Sequence, residues 1–115
     1  MAKNQRYTQG MHIALTAPAD IESGQPVKIG QFVGVALISA KAGERVTVWR
    51  DGSYDLTVVG ALTEGQIVYI KADSTLTATA SGNYPFGAAV NAKAAGTGIA
   101  EVVPFGLITN TAALA

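Results

Sequence analysis

The residues that could perform acid–base or metal chemistry are few and are not clustered in the sequence. His12 is the single histidine, and the nearest carboxylate along the chain belongs to Asp20. Asp20 and Glu22 could point the same way on an extended stretch and offer oxygens to a divalent cation, but solvation in a loop is the simpler expectation. One histidine near a chain end is also a poor base for a Ser–His–Asp triad. We therefore expect no metal site, no catalytic residue and no enzymatic activity.

Motifs that bind nucleotides or other cofactors are also missing from the sequence. The glycines form neither G-x-x-x-x-G-K-[ST] nor G-x-G-x-x-G between a strand and a helix. There is no cysteine, so neither disulfides nor thiolate metal ligands contribute. We expect no cofactor.

Composition bounds the class of protein. The chain has 115 residues, of which 49% are hydrophobic, enough for one domain with its own core. Its formal net charge is +0 and its charges are scattered, so the basic face of a nucleic-acid-binding protein is not expected. No signal peptide or membrane span is recognisable, and we expect a soluble protein made in the cytoplasm. Only 14% of residues are charged, which fits either a Gly-rich β protein or a surface covered by neighbours.

The apolar residues follow the alternation of short strands bounded by turns. No window holds a convincing helical period. We predict an all-β, small single-domain barrel or sandwich with little helix. The predicted strands cover residues 11–17, 26–30, 32–39, 45–50, 53–60, 66–72, 74–80, 86–92, 98–103 and 105–109.

Two parts of the chain repeat each other. "ESGQPVKI" (22–29) resembles "TEGQIVYI" (63–70), and "GVALISAKAGERV" (34–46) resembles "GAAVNAKAAGTGI" (87–99), which matches Val46 to Ile99. The second copy is longer because residues 71–86 supply one extra strand and a turn. Two such units can hide each other's edges. We predict an N-terminal arm (1–10), a β domain (11–109) with duplicated units (22–59 and 63–109), and a C-terminal tail (110–115).

The segment "VTVWRDGSYDLTV" predicts a hairpin. A two-residue loop would mix apolar and charged residues on both faces, whereas a three-residue loop at 51–53 separates them. The second arrangement places Arg45, Thr47, Trp49 and Asp55 on the polar face. An outward Trp49 is either an anchor in a protein interface or a cap on the end of the core.

The arm "MAKNQRYTQG" is polar, with Lys3 and Arg6 as its only charged side chains. In an assembly it could add a strand to the edge of a neighbour, with Tyr7 as an anchor. The interface candidates are thus Lys3, Arg6, Tyr7, Arg45, Thr47, Trp49 and Asp55.

Several stretches together resemble a known family: "TAPAD", "SGQPVKIGQFVGVAL", "AGERVTV", "DGSYDL", "GQIVYI" and "TATASGNYPFGAAV". They resemble small phage and prophage proteins regarded as capsid cement or head decoration proteins. Automated labels often call these proteins RecA/RadA-like recombinases, which the missing phosphate-binding motif argues against. The resemblance spans roughly residues 1–105 and brings no catalytic residues with it.

The resemblance implies a structural virion protein on the capsid surface, made in the cytoplasm of the host bacterium. Its implied partners are the phage major capsid protein and itself, as a homotrimer or homodimer, with no nucleic acid and no membrane. Two alternatives stay open. A carbohydrate-binding module would use Trp49, Tyr54 and Tyr84, and a nucleic-acid accessory protein would show salt-sensitive DNA binding.

Overall fold

The computed structural model describes residues 12–109 and 112–114 and confirms the all-β prediction. Within these residues there are nine strands and no helix. The strands are β1 (His12–Thr16), β2 (Pro26–Ile29), β3 (Phe32–Ala36), β4 (Arg45–Trp49), β5 (Tyr54–Val59), β6 (Ile67–Ile70), β7 (Leu76–Thr77), β8 (Tyr84–Ala89) and β9 (Thr97–Pro104).

The first four strands form one antiparallel sheet in the order β1-β4-β3-β2. The run 32–39 is nearly all apolar, a pattern that predicts burial on both faces of the strand, and Val33 through Ala36 are indeed buried. Val33 and Val35 enter one apolar cluster and Ala36 enters another, so β3 lies between two cores. Beyond the end of β3 the prediction is wrong, because Leu37 and Ile38 are each 49% exposed.

The remaining five strands close into a barrel in the order β5-β7-β6-β8-β9, with β9 paired to β5. The extra strand predicted within residues 71–86 is β7. It runs parallel to β5 and antiparallel to β6, and so closes the barrel between them. Its Leu76 is 1% exposed and lies in the core with Phe86 and Ile70, both fully buried.

The segment after β9 ties the barrel to the first sheet. Leu107 forms an isolated bridge with Phe32, and the Val33 amide donates to the Gly106 carbonyl at 3.1 Å. Gln31 accepts from the Ile108 amide and donates through its side chain to the Ile108 carbonyl, both at 2.8 Å. The strand predicted at 105–109 is therefore a crossing segment rather than a full strand.

The predicted hairpin between β4 and β5 is wrong. β4 pairs with β1 and β3, whereas β5 pairs with β7 and β9, so residues 51–53 connect two sheets. The alternation along each strand was read correctly, since Val46 and Val48 are buried in one cluster and Leu56 and Val58 in the other. The apolar face of β4 packs in one core and that of β5 packs in the other. The two strands therefore pair with different neighbours and do not form a hairpin with each other.

β1–β4 (the first unit) and β5–β9 (the second unit) share their strand pairing. Val27 lies opposite Gly34, as Val68 lies opposite Gly87. The isolated bridges outside the strands also correspond: Ile21 with Ala40, and Leu62 with Lys93. A duplication stays a prediction, but the two units use one pattern of pairing.

The pairing also corrects one residue of the predicted repeat. In the shared pairing β1 corresponds to β5 and β4 corresponds to β9. Leu15 of β1 lies opposite Val46, and its counterpart in β5, Leu56, lies opposite Ala100. Val46 therefore corresponds to buried Ala100, and not to Ile99, which is 64% exposed.

Candidate docking surface

A groove of about 640 Å³ opens where the first sheet meets the connection to the barrel. Its lining is mainly apolar or backbone, and Asp51 is its one charged residue. The lining residues are Ser23, Gly24, Val35, Ala36, Leu37, Trp49, Asp51, Gly52, Ser53 and Tyr54. We call this surface the Trp49 groove. It is concave and largely uncharged, as the centre of a protein interface is.

Trp49 is positioned by its neighbours on the sheet. It ends β4, opposite His12 of β1 on one side and Val35 of β3 on the other. The His12 and Trp49 rings have centroids 5.1 Å apart and planes tilted by 31°. The indole Nε1 is buried and has no hydrogen-bond partner among the described residues. Trp49 is thus half-buried between a core and the groove. It has features of both roles that the sequence left open, the interface anchor and the cap on the end of the core.

Tyr54 forms the opposite part of the lining and is held in one orientation. Its hydroxyl donates to the Asp51 carbonyl at 2.6 Å. Burial raises the pKa of this phenol above its ordinary value, and the nearby Asp51 carboxylate adds to the increase. Tyr54 therefore presents a neutral ring whose polar atom is already satisfied.

The rim of the groove is fixed by short polar contacts. The Gly52 amide donates to the Asp51 carboxylate at 2.8 Å, and Gly52 adopts a φ of 87°, which only glycine adopts readily. The Ser53 hydroxyl donates to Glu101 of the barrel at 2.7 Å. Asp51 therefore holds this turn through its carboxylate and its carbonyl. The groove is consequently formed before any partner arrives, which lowers the entropy cost of binding.

The predicted interface residues do not lie together, because Arg45, Thr47 and Trp49 alternate along one face of β4 whereas Asp55 belongs to β5. Arg45 lies at the far end of β4 beside Thr16, with its guanidinium 3.4 Å from that hydroxyl, and half-buried Thr47 lies opposite Ala14. Asp55 is on the barrel, opposite Glu101. Of the described candidates, Trp49 alone lines the groove. Lys3, Arg6 and Tyr7 lie outside the described residues.

Sequence analysis missed a second apolar surface on the outside of the barrel. Ile67, Ala88 and Val103 lie side by side across β6, β8 and β9. Phe105 and Leu107 continue the exposed apolar surface beyond β9, at 45% and 54% exposure. These residues occupy the alternate, outward-facing positions of their strands. The sequence analysis considered only the positions expected to face the core, and so did not identify them.

Ionisable groups of the described residues do not converge on a site. No group of three or more His, Asp or Glu side chains that could hold a metal ion occurs among them. Asp20 instead accepts from the Ala42 amide at 3.0 Å and lies 3.7 Å from the Lys41 ammonium. Across residues 12–109 and 112–114 we also find no helix with the length and hydropathy to cross a membrane.

The chain matches the model of a known protein family. A family model described as phage cement protein matches residues 6–104, which include every strand and the whole Trp49 groove. No curated protein matches the chain.

Proposed function

The chain belongs to the phage cement protein family, and from this premise we propose that it binds the outer surface of a phage capsid and holds neighbouring major capsid subunits together. The family indicates a structural role at the capsid. The choice of surface, the bridging of subunits and the absence of an enzymatic activity are our proposals.

The observation that carries the proposal is the Trp49 groove. Protein interfaces are anchored by a few aromatic side chains in uncharged surroundings, while charged residues are depleted at their centre. Trp49 and Tyr54 line the groove together, and Leu37 leaves 49% of its surface exposed there. Covering this groove with a capsid subunit removes apolar surface from water, and its one charged residue, Asp51, lies at the rim, where its carboxylate accepts from the Gly52 amide.

Each contact can be weak, because a capsid offers many identical sites. An oligomer that docks on a capsid symmetry axis gains avidity from simultaneous contacts without new chemistry. We propose a homotrimer or homodimer for this reason. The chain's formal net charge of +0 suits close packing among copies.

The N-terminal arm is the second part of the proposed interface. Lys3, Arg6 and Tyr7 would extend the contact beyond the groove, and Arg45 and Asp55 are exposed charged candidates for its polar rim. Deletion of residues 2–9 is expected to abolish capsid binding while the fold, measured by circular dichroism, is unchanged. Undiminished capsid binding by the deletion variant would show that the arm is not part of the interface.

A matched pair of variants tests the role of the groove. Leu37 lines the groove, whereas its neighbour Ile38 is equally exposed but does not line it. Leu37→Asp places a charge at the proposed interface and is expected to weaken co-sedimentation with undecorated phage heads by about thirtyfold, the effect of one strong interface residue. Ile38→Asp is the control and should bind like the wild type. Equal binding by all three proteins would contradict the proposal.

The two alternatives gain less from the structure. Carbohydrate binding by Trp49, Tyr54 and Tyr84 would need all three rings together, but Tyr84 does not line the groove and carries the Lys28 ammonium 4.0 Å above its ring. Nucleic-acid binding would need a basic face. All eight acidic residues lie in the described part, whereas Lys3 and Arg6 of the eight basic ones do not.

A further inference from the structure

The second unit contains a strand, β7, that has no counterpart among the described residues of the first unit. This strand closes the barrel, whereas the first sheet stays open. Leu76 of β7 lies opposite Val58 of β5 on one side and Ile70 of β6 on the other. By the shared pairing, the counterparts of Val58 and Ile70 in the first unit are Ala17 and Ile29. Within the described residues, β1 and β2 are the outer strands of an open sheet. We call the position between residues 17–18 and 28–29 the open strand position.

Burial of the apolar residues around this position differs accordingly. Leu56 and Ile70, which share a core with Leu76, are 4% and 0% exposed. Their counterparts Leu15 and Ile29 are only partly buried, although both pack on the core of the first unit. Ala17, the counterpart of Val58, is 1% exposed, so the difference is confined to Leu15 and Ile29, which lack the cover that β7 gives their counterparts.

Two prolines set the length of strand that can be added. Pro18 and Pro26 correspond to Val59 and Ile67 and have no amide hydrogen to donate, as is typical of guarded sheet edges. Val59 pairs with Thr77, so an added strand lacks the bond that Pro18 cannot donate, whereas Ile67 lies beyond the residues of β6 that pair with β7. A longer strand would lose a further bond at Pro26. β7 pairs over only two residues, Leu76 and Thr77. A short strand of this kind matches the open strand position.

The arm that precedes β1 matches the requirements for this strand. Tyr7–Thr8 repeats the order of a large apolar residue and threonine found in Leu76–Thr77. The arm carries the charges of Lys3 and Arg6, whereas the described body holds all eight acidic residues and has an excess of negative charge. Fully extended, residues 1–11 span about 36 Å.

Strand direction indicates which copy supplies the arm. β7 runs parallel to β5, so a strand that takes the same place in the first unit runs parallel to β1. Parallel neighbours in sequence need a crossover of about a dozen residues or more. Residues 1–11 lead directly into β1, which leaves no crossover for an arm to lie parallel to its own β1. A second copy has no such restriction.

We propose that residues 1–11 of a second copy add a short strand between β1 and β2, with Tyr7 over Leu15 and Ile29, and so close the first sheet as β7 closes the barrel. This strand addition deepens the proposed function, on which it rests only for its use in capsid assembly. It makes the arm a contact between copies, and deletion of residues 2–9 then abolishes capsid binding because the oligomer is lost.

Disulfide trapping tests the proposal in the free protein, because the chain has no cysteine of its own. Thr8→Cys protein is mixed with Pro18→Cys protein and oxidised. Pro18 is exposed, and its counterpart Val59 is exposed beside a position that β7 already occupies. Val59→Cys is therefore the matched control. Tyr7→Cys and Gln9→Cys extend the series to a shift of one residue in either direction.

We expect a disulfide-linked heterodimer of the arm variant and Pro18→Cys, several-fold more abundant than with Val59→Cys. Sedimentation should show an oligomer for the full chain and a monomer after deletion of residues 2–9. A disulfide formed only within a Thr8→Cys/Pro18→Cys double variant that stays monomeric would overturn the proposal, as would trapping no greater than the control throughout the series. No phage heads are used, so failure here is distinct from failure of capsid binding.

Discussion

Gly34 has no room for a side chain, and replacing it should separate two strands of the first sheet. A Cβ atom at Gly34 would lie 2.2 Å from the Trp49 carbonyl oxygen and 2.9 Å from Cγ1 of Val48. Carbon and carbonyl oxygen in contact lie about 3.3 Å apart, so β3 and β4 must separate by about 1 Å at this point. Gly87 has the same restriction, with its added Cβ 2.2 Å from the Val103 carbonyl oxygen.

The size of the effect follows from two opposed contributions. Forcing one extra carbon into a packed region costs about 1–3 kcal/mol. Replacing a strand glycine by alanine restrains the unfolded chain and recovers about 0.5–1 kcal/mol. Gly98→Ala serves as the control, because Gly98 lies in β9 and its added Cβ would meet only the end of the Lys93 side chain at 3.4 Å. Gly34→Ala is thus expected to unfold with about 2 kcal/mol less free energy than Gly98→Ala.

Urea unfolding measures this difference directly. Trp49 is the single tryptophan and its carbonyl is the group that the new methyl meets, so its fluorescence reports on both the site and the transition. The midpoint should fall for Gly34→Ala and stay level or rise for Gly98→Ala, and Gly87→Ala should resemble Gly34→Ala. A Gly34→Ala protein as stable as Gly98→Ala would refute the close approach of β3 to β4.

Two further predictions concern polar groups. The raised pKa of Tyr54 means that the folded state holds the phenolic proton more tightly than the unfolded chain, so its contribution is present below about pH 10 and is lost as the pH rises further. Tyr54→Phe should therefore lose less unfolding free energy than the wild type above that pH, and a pH-independent difference would contradict this. The Lys93 ammonium donates to three backbone carbonyls at 2.6–2.9 Å. Lys93→Met should lower the unfolding free energy by about 1–2 kcal/mol, and an unchanged urea midpoint would show that these bonds contribute nothing.

Most of the fold followed from local alternation and turn residues, and the failures were failures of pairing. Nine of the ten predicted strand positions, the low helix content and the extra strand in 71–86 were predicted correctly, because each is encoded within a few residues. The hairpin at 51–53 failed because its turn residues and face pattern fit a hairpin locally. The predicted hairpin would have paired Val48 with Leu56, but Val48 pairs with Ile13 because β4 and β5 pack into different cores. That choice is a tertiary one.

Of the residues that line the candidate site, the sequence analysis identified only Trp49 as an interface residue. Trp49 was singled out as the one tryptophan among polar neighbours, and it lines the groove. Asp55 was joined to it through the hairpin that does not form, whereas Arg45 shares a face of β4 with Trp49 but lies at the other end of the strand. Leu37 was missed because a long apolar run indicates burial throughout, whereas β3 ends at Ala36 and leaves Leu37 outside. Sequence shows where an apolar run is, but the end of its strand decides which members reach the surface.

Heat stability of the capsid tests the central claim most directly. Undecorated phage heads are mixed with equal concentrations of the wild-type protein, of Leu37→Asp or of Ile38→Asp, and the temperature at which the shells come apart is recorded by calorimetry. A ligand that binds the assembled shell but not its dissociated subunits raises this temperature. The account predicts a rise with the wild type and Ile38→Asp and little or none with Leu37→Asp. Shells that come apart at the same temperature with and without bound wild-type protein would contradict it.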